Sequence, residues 1–473
     1  MVIYFLVAMT CGGFILLFRT KIVTLVLRCT FLLNQVGVTA YAFLHPGAED
    51  SLYFNFDSIG IILATVLTIL SIATFYHSYL YLNRHPTTVR NESIYYASLI
   101  LLITAMTGAY FTNHMGVLWA WLEATTLSVS VLIYHDRTAT SLEATWKYVF
   151  ICSIGISIAF IGILFLSIVA TKGGLTDLYL SGLMTAAKDM DTTWLKIAFV
   201  LLFTGFSAKL GIFPLHTVCV DAHTASPPPI SAFISTSLMS VGFLGIFRMY
   251  SIIAQTEAHQ WANKILMISG VISIAISAMQ LLRVKHFKRM FAFSSLEQMG
   301  IVAIALSAGG IGYYAAILHI VLHSFAKASL FYQIGQVDSV YHSYWIKDVG
   351  GYMKINPLGA VVILLLFIMI TAIPPSGLFV SELMVFKSLF AGHHYLISIV
   401  VLLLLSVIIF VLGRNFMQLL YSTEYELQGT EVAKTSGSET VSQFILIALM
   451  IYLAFWPPAF FTKLINSAIV MLA

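Results

Sequence analysis

Seven ionisable side chains, Glu123, Lys147, Lys209, His319, His323, Lys327 and Glu382, sit within long apolar runs of this sequence. A charged group at the centre of a bilayer costs at least about 2.5–3.5 kcal/mol on insertion scales, so each position needs a physical reason. Proton transfer supplies one, because it uses groups whose charged and neutral forms are close in free energy. Burial raises the proton affinity of a carboxylate and lowers that of a lysine, and an opposite charge nearby reverses both effects. An imidazole relays protons because its ordinary pKa lies near neutrality. His319, His323 and Lys327 recur every four residues, which puts them on one face of a helix with a modest drift around its axis.

The elements that must position these groups are membrane helices. Only 9% of the 473 residues are Asp, Glu, Lys or Arg, against 59% hydrophobic, which excludes an ordinary soluble fold. Apolar runs predict about fourteen helices, centred near residues 10, 33, 70, 102, 124, 159, 203, 242, 272, 298, 322, 366, 407 and 453. The fold class expected is an all-α polytopic membrane protein, and residues 1–473 form a single transmembrane domain. The first run lacks a small-residue cleavage site, so it reads as a retained helix. Residues 171–194, 336–356 and 422–440 are polar enough to lie outside the bilayer, and Gly429, Ser436, Gly437 and Ser438 make the last look flexible.

The seventh and twelfth expected helices are broken in related ways. Lys209 stands just before Gly211 and Pro214, and Pro374, Pro375 and Gly377 stand just before Glu382. Interrupted helices in corresponding places mark a transporter site between repeats. The implied repeats cover about residues 95–253 and 262–421, five helices each. An odd number of crossings makes the second unit enter from the opposite side, so the repeats are inverted.

Basic residues assign the sides. Arg19, Lys21, Arg84, Arg90, Arg137, Arg283, Lys285, Lys288, Arg289, Lys347, Lys354, Arg414 and Lys434 fall on one set of alternating loops. Lys172, Lys188, Lys196, Arg248, Lys264 and Lys463 fall on the other. This bias puts both termini on the non-cytoplasmic side of the cell inner membrane. It also accounts for the net charge of +4 without nucleic acid. Cys11, Cys29, Cys152 and Cys219 have no metal-binding spacing, and neither a dinucleotide fingerprint nor a phosphate-binding loop is present. Redox chemistry is therefore expected in other chains, and no cofactor or metal in this one.

Other polar residues have plainer readings. Glu382 is both a terminal proton carrier and a charge at the start of a restarted half-helix, where the helix dipole favours it. Glu143 precedes Lys147 by four residues and pairs with it. Lys387 snorkels towards a loop. Asp57 and Glu297 read as interfacial hydrogen-bonding residues, and His216, Asp221 and His223 as a polar hinge or mouth.

Six stretches resemble the antiporter-like proton-conducting subunits of complex I, group 4 hydrogenases and Mrp antiporters. They are WLEATTLS (121–128), SLEATWKYVFICSIG (141–155), FPLHTVCVDAHTASPPPISA (213–232), FKRMFAFSSLEQMG (287–300), LHIVLHSFAKASLF (318–331) and IPPSGLFVSELM (373–384). Within that family the likeness is greatest to the F subunit of hydrogenase-4. The resemblance implies that Glu123 and Lys209 form an input pair, that His319, His323 and Lys327 lie on a central hydrated axis, and that Glu382 takes the distal position. Two departures stand out. Relatives often carry Lys or His midway along the eighth helix, where this chain has only Ser235, Thr236, Ser237 and Ser240; hydroxyls order water but store no charge at neutral pH. His286 replaces an acid and is expected to alter a surface ion pair.

The function expected is proton translocation by a subunit, itself without redox centres, of a hydrogenase-like or NADH-quinone oxidoreductase-like complex. Its partners would be antiporter-like and quinone-site-like membrane subunits and peripheral redox subunits. The latter would carry iron–sulfur clusters with nickel–iron or flavin. The alternatives are a cation/proton antiporter subunit of an Mrp-like assembly, a scaffold that has lost conduction, and a carbon-uptake role.

Overall fold

A computed structural model describes residues 1–472 apart from 19, 52 and 423–436. The chain runs through α1 (Val2–Leu17), α2 (Lys21–Leu44), a small hairpin of β1 (Glu49–Ser51) and β2 (Phe54–Asn55), α3 (Ser58–Arg84), α4 (Val89–Phe111), α5 (Met115–Ile133) and α6 (Ala139–Lys172). It continues with α7 (Leu180–Ala186), α8 (Thr192–Leu210), α9 (Thr217–Ala225), α10 (Pro228–Phe233), a π-helical turn (Ile234–Leu238) and α11 (Met239–Ala254). The second half comprises α12 (His259–Leu281), α13 (Phe287–Ala308), α14 (Ile311–Tyr341), α15 (Tyr352–Ile355), α16 (Pro357–Ile370), α17 (Gly377–Ala391) and α18 (Tyr395–Tyr421). Last come α19 (Gly437–Phe455) and α20 (Ala459–Ile469).

Among the described residues, 12 helices are long and apolar enough to cross a membrane, with α10, the π-turn and α11 forming one of them. The chain is thus a multi-pass membrane protein, and every expected centre falls inside a helix. The first and twelfth expected helices, α1 and α16, have only 16 and 14 residues, shorter than a full span. The β-hairpin is a small departure from an all-helical chain. Other expectations need correction. Residues 336–341 continue α14 as helix, and Gly437 and Ser438 begin α19. Arg248 and Lys288 are buried within α11 and α13, so neither is a loop charge. Arg19, Gly429, Lys434 and Ser436 lie outside the described residues.

Local chemistry fixes the helix ends. Asp57 caps α3 by accepting from the Gly60 amide at 2.8 Å, Thr138 and Ser141 form a capping box on α6, and Ser376 caps α17. The wall through the middle consists of α10–α11, α13 and α14, which are apolar nearly all round and buried on every side. Helices α2, α18 and α19 turn broad apolar faces outward, as lipid-facing helices do.

Both expected breaks are present. Helix α8 stops at Gly211, whose φ of +78° favours glycine, and the chain restarts at α9; α16 ends at Ile370 and restarts at α17. In the first break the freed backbone finds partners on α12. The Phe213 amide donates to Ser273 Oγ at 2.9 Å, and Ser269 Oγ donates to the Phe213 carbonyl. The Leu215 amide donates to Ser207 Oγ at 3.3 Å. Irregular backbone at membrane depth persists only where protein or water satisfies it in this way.

Gly242 lets α11 lie directly against the end of α8. A Cβ there would stand 2.7 Å from the carbonyl carbon of Lys209 and 2.9 Å from Leu210 Cα. Gly242→Val is therefore expected to destabilise the protein by about 1–3 kcal/mol through overpacking. Thermal unfolding of the detergent-solubilised protein measures this, and an unchanged transition would show that the crossing is looser than described.

Candidate functional site

The row begins on α5. Glu123 is half-buried near the middle of that helix, and its Oε2 lies 3.4 Å from the Thr126 hydroxyl one turn later. Lys209, 2% exposed, reaches across from α8 and donates to Thr126 Oγ1 at 2.8 Å and to the Tyr148 hydroxyl of α6 at 3.0 Å. Its ammonium also stands 5.1 Å from the Tyr148 ring centre. Glu123 and Lys209 are within electrostatic reach but make no direct ion pair; the Thr126 hydroxyl stands between them. Sequence reasoning paired the two charges and missed the hydroxyl, although Thr126 lies in the same motif, three residues after Glu123.

The π-turn follows. A π-helical turn shifts the backbone hydrogen-bond register and turns carbonyls away from the helix ladder. Here the Ser237 carbonyl accepts from the Tyr110 hydroxyl at 2.6 Å, and the Ser235 carbonyl lies 3.3 Å from His323 Nε2. A carbonyl only accepts, so His323 Nε2 carries the hydrogen and Nδ1 is left as an acceptor. At this turn the chain offers backbone oxygen and hydroxyls. Ser235 Oγ lies 2.7 Å from Ser295 Oγ of α13.

His319, His323 and Lys327 are all fully buried in α14. Each i,i+4 step turns the helix by about 40°, so the three groups face different neighbours. His319 Nδ1 lies 3.0 Å from Ser381 Oγ of α17, His323 meets the π-turn, and Lys327 Nζ donates to the Phe291 carbonyl of α13 at 3.1 Å. Glu382, beside Ser381, is buried at the start of α17. The ionisable groups thus run from α5 and α8, past the π-turn, through α14 to α17.

Lys147 stands apart. Its side chain is 51% exposed, and it pairs with Glu143 at 2.6 Å and Asp221 at 3.8 Å. Asp221 also meets Arg289 at 3.5 Å, so this part of the expected mouth is a surface ion network. Lys387 is exposed. His286 makes no ion pair among the described residues. It packs against Tyr344 and Trp345, and burial pushes its imidazole down to about 4, with Lys288 and Arg289 adding to the effect. A polar cleft of about 1010 Å³ opens beside the start of α10, lined in part by Arg84, Asp136, Ser226, Lys288, Asp338 and Tyr344. Glu297, read from sequence as interfacial, is instead 2% exposed.

The family model described as NADH:quinone oxidoreductase/Mrp antiporter, TM, matches residues 112–409, which include every group in this row. A hydrogenase-4 component F homologue of Methylacidiphilum infernorum is 30% identical over 348 residues, covering 72% of this chain and 73% of that protein. Among solved structures, a chain of the membrane-bound sulfane sulfur reductase, an archaeal respiratory membrane complex, superposes with a TM-score of 0.87. The two share 19% identity, with 100% of this chain and 97% of that one covered. A chain of the Mrp complex from a Dietzia species gives a TM-score of 0.85 at 15% identity, covering 99% and 96%. On the family match and the hydrogenase-4 relative together, the chain belongs to the antiporter-like membrane subunits shared by complex I, group 4 hydrogenases and Mrp-type complexes.

Proposed function

We propose that this chain translocates protons as a subunit of a redox-driven complex of the hydrogenase or NADH–quinone oxidoreductase kind, in the cell inner membrane with both termini on the non-cytoplasmic side. The observation that carries the reading is the series of buried groups from Glu123 to Glu382. An ion-free scaffold has no reason to bear the cost of burying Lys209, His319, His323, Lys327 and Glu382 along one course. Iron–sulfur clusters, with nickel–iron or flavin, belong to peripheral partner subunits in this reading, and further antiporter-like and quinone-site-like subunits lie alongside in the bilayer. The two five-helix units act as inverted repeats around the row.

The chemistry follows from the Thr126 bridge. A negative Glu123 holds the proton on Lys209 through the hydroxyl between them. Neutralising Glu123 removes that attraction, and the desolvated ammonium then gives up its proton more readily. The proton passes along the hydroxyls of the π-turn and water ordered on them to His323 and its neighbours on α14, and on to Glu382. Lys147, held in surface pairs, has no part in the row. The overlap with the Mrp chain favours one second reading, cation/proton exchange without redox chemistry. Sodium uptake by vesicles given no electron donor would decide for it.

Lys209→Ala is expected to reduce proton pumping by about a hundredfold or more while electron transfer by the complex stays measurable. Acidification of inverted membrane vesicles on adding the electron donor measures pumping and consumption of that donor measures electron transfer; undiminished pumping would reject the role. Thr126→Val keeps the side-chain volume but removes the bridge, so pumping should fall several-fold, with Thr126→Ser restoring it. Equal rates in the Val and Ser proteins would mean that the hydroxyl does not couple the pair.

A further inference from the structure

The row leaves one step open, from Lys327 to Glu382. Along α14, Lys327 lies eight residues beyond His319, about 12 Å by helix geometry, and among the three described groups of that stripe it is His319 that bonds to α17, at Ser381 beside Glu382. Helix α13, which carries Glu297, packs against both α14 and α17.

Glu297 is built unlike a packing residue. Its Oε1 accepts from the Gln298 side-chain amide at 3.0 Å, and that amide also lies 3.4 Å from the Ile370 carbonyl at the second helix break. Its Oε2 has no hydrogen-bond partner among the described residues, nor have Gln298 Oε1, His319 Nε2 and His323 Nδ1. These unpartnered polar atoms belong to a seam where α13 packs on α14, and ordered water would satisfy them there. Glu297 is close enough to feel the charges of both Lys327 and Glu382. Lys327 spends a single described hydrogen bond on the Phe291 carbonyl, leaving donors free to point into the seam.

We infer that Glu297, oriented by Gln298, is a proton-carrying group that relays between Lys327 and Glu382; this rests on the proton-translocating reading above. The Lys327 ammonium gives a proton through water to the Glu297 carboxylate, leaving a neutral amine and a carboxylic acid. The acid passes that proton to the Glu382 carboxylate and becomes a carboxylate again, ready for the next transfer. The break at Ile370 matters because the carbonyl at the end of α16 accepts from the Gln298 amide, and so holds the carboxylate it serves.

The test uses the whole complex in inverted vesicles, with Glu297→Gln, Glu297→Asp and Lys209→Ala made in this chain. Glu297→Gln is nearly isosteric and should cut pumping about tenfold or more with electron transfer retained. Glu297→Asp should recover much of the loss, a rescue that a need for bulk alone would not produce. Normal pumping in Glu297→Gln, with Lys209→Ala inactive, overturns the relay and leaves the proposed function standing. Normal pumping in Lys209→Ala overturns the function itself. Should Glu297→Gln fail to assemble, the unaltered complex decides: dicyclohexylcarbodiimide, which attacks buried protonated carboxyls, should label Glu297 as pumping is lost. Labelling of Glu382 alone would overturn the relay.

Discussion

A lipid interior offers no water to a broken helix, so each interruption in this chain depends on partners supplied from elsewhere in the bundle. Ser269 and Ser273 of α12 serve the backbone around Phe213, and Ser207 serves Leu215. Those bonds let α8 end in the middle of the protein, and the end of α8 is where Lys209 stands. The second break works in a similar way, with Gln298 of α13 against the Ile370 carbonyl. The position of the ionisable groups is therefore set by serines and an amide on neighbouring helices as much as by the helices that carry them.

Two kinds of buried charge can be told apart by their partners. Arg248 pairs directly with Asp57 at 3.2 Å and donates to the carbonyls of Tyr110 and Thr112, tying α11 to α3 and α4. Arg84 pairs directly with Glu439, tying α3 to α19. Arginine does not lose its proton in proteins, so these are fixed clasps. In the row the basic groups are lysines and histidines, which can gain and lose a proton, and Lys209 meets Glu123 through a hydroxyl. A hydrogen bond to a charged group contributes about 1.5–3 kcal/mol, and breaking a direct buried ion pair costs about 3–5 kcal/mol. The bridged arrangement holds Lys209 in place yet leaves its protonation sensitive to its neighbour.

The π-turn resolves the departure that the sequence raised at the eighth helix. With only Ser and Thr there, the chain has no side chain to hold a charge, but the altered register hands the Ser235 carbonyl to His323 and the Ser237 carbonyl to Tyr110. The turn thus bonds to α14 on one side and to α4 on the other. The Ser235 carbonyl there fixes the tautomer of the neutral His323 ring.

Much of the fold was written in composition and spacing. The scarcity of charge demanded a membrane, the apolar runs located the helix centres, and the Gly and Pro residues marked both breaks, because these are local consequences of hydrophobicity and backbone sterics. The four-residue recurrence on α14 was likewise legible, since helical pitch alone turns it into a stripe. Contacts across helices were not. Thr126 between Glu123 and Lys209, Ser381 beside His319, the withdrawal of Lys147 into a surface pair with Glu143 and Asp221, and the depth of Glu297 all depend on how helices distant in sequence cross. Sequence alone determined which ionisable residues fall within apolar runs; only the tertiary structure decided which of them are buried and which face one another, because that choice rests on side-chain packing between helices and not on the pitch of any one.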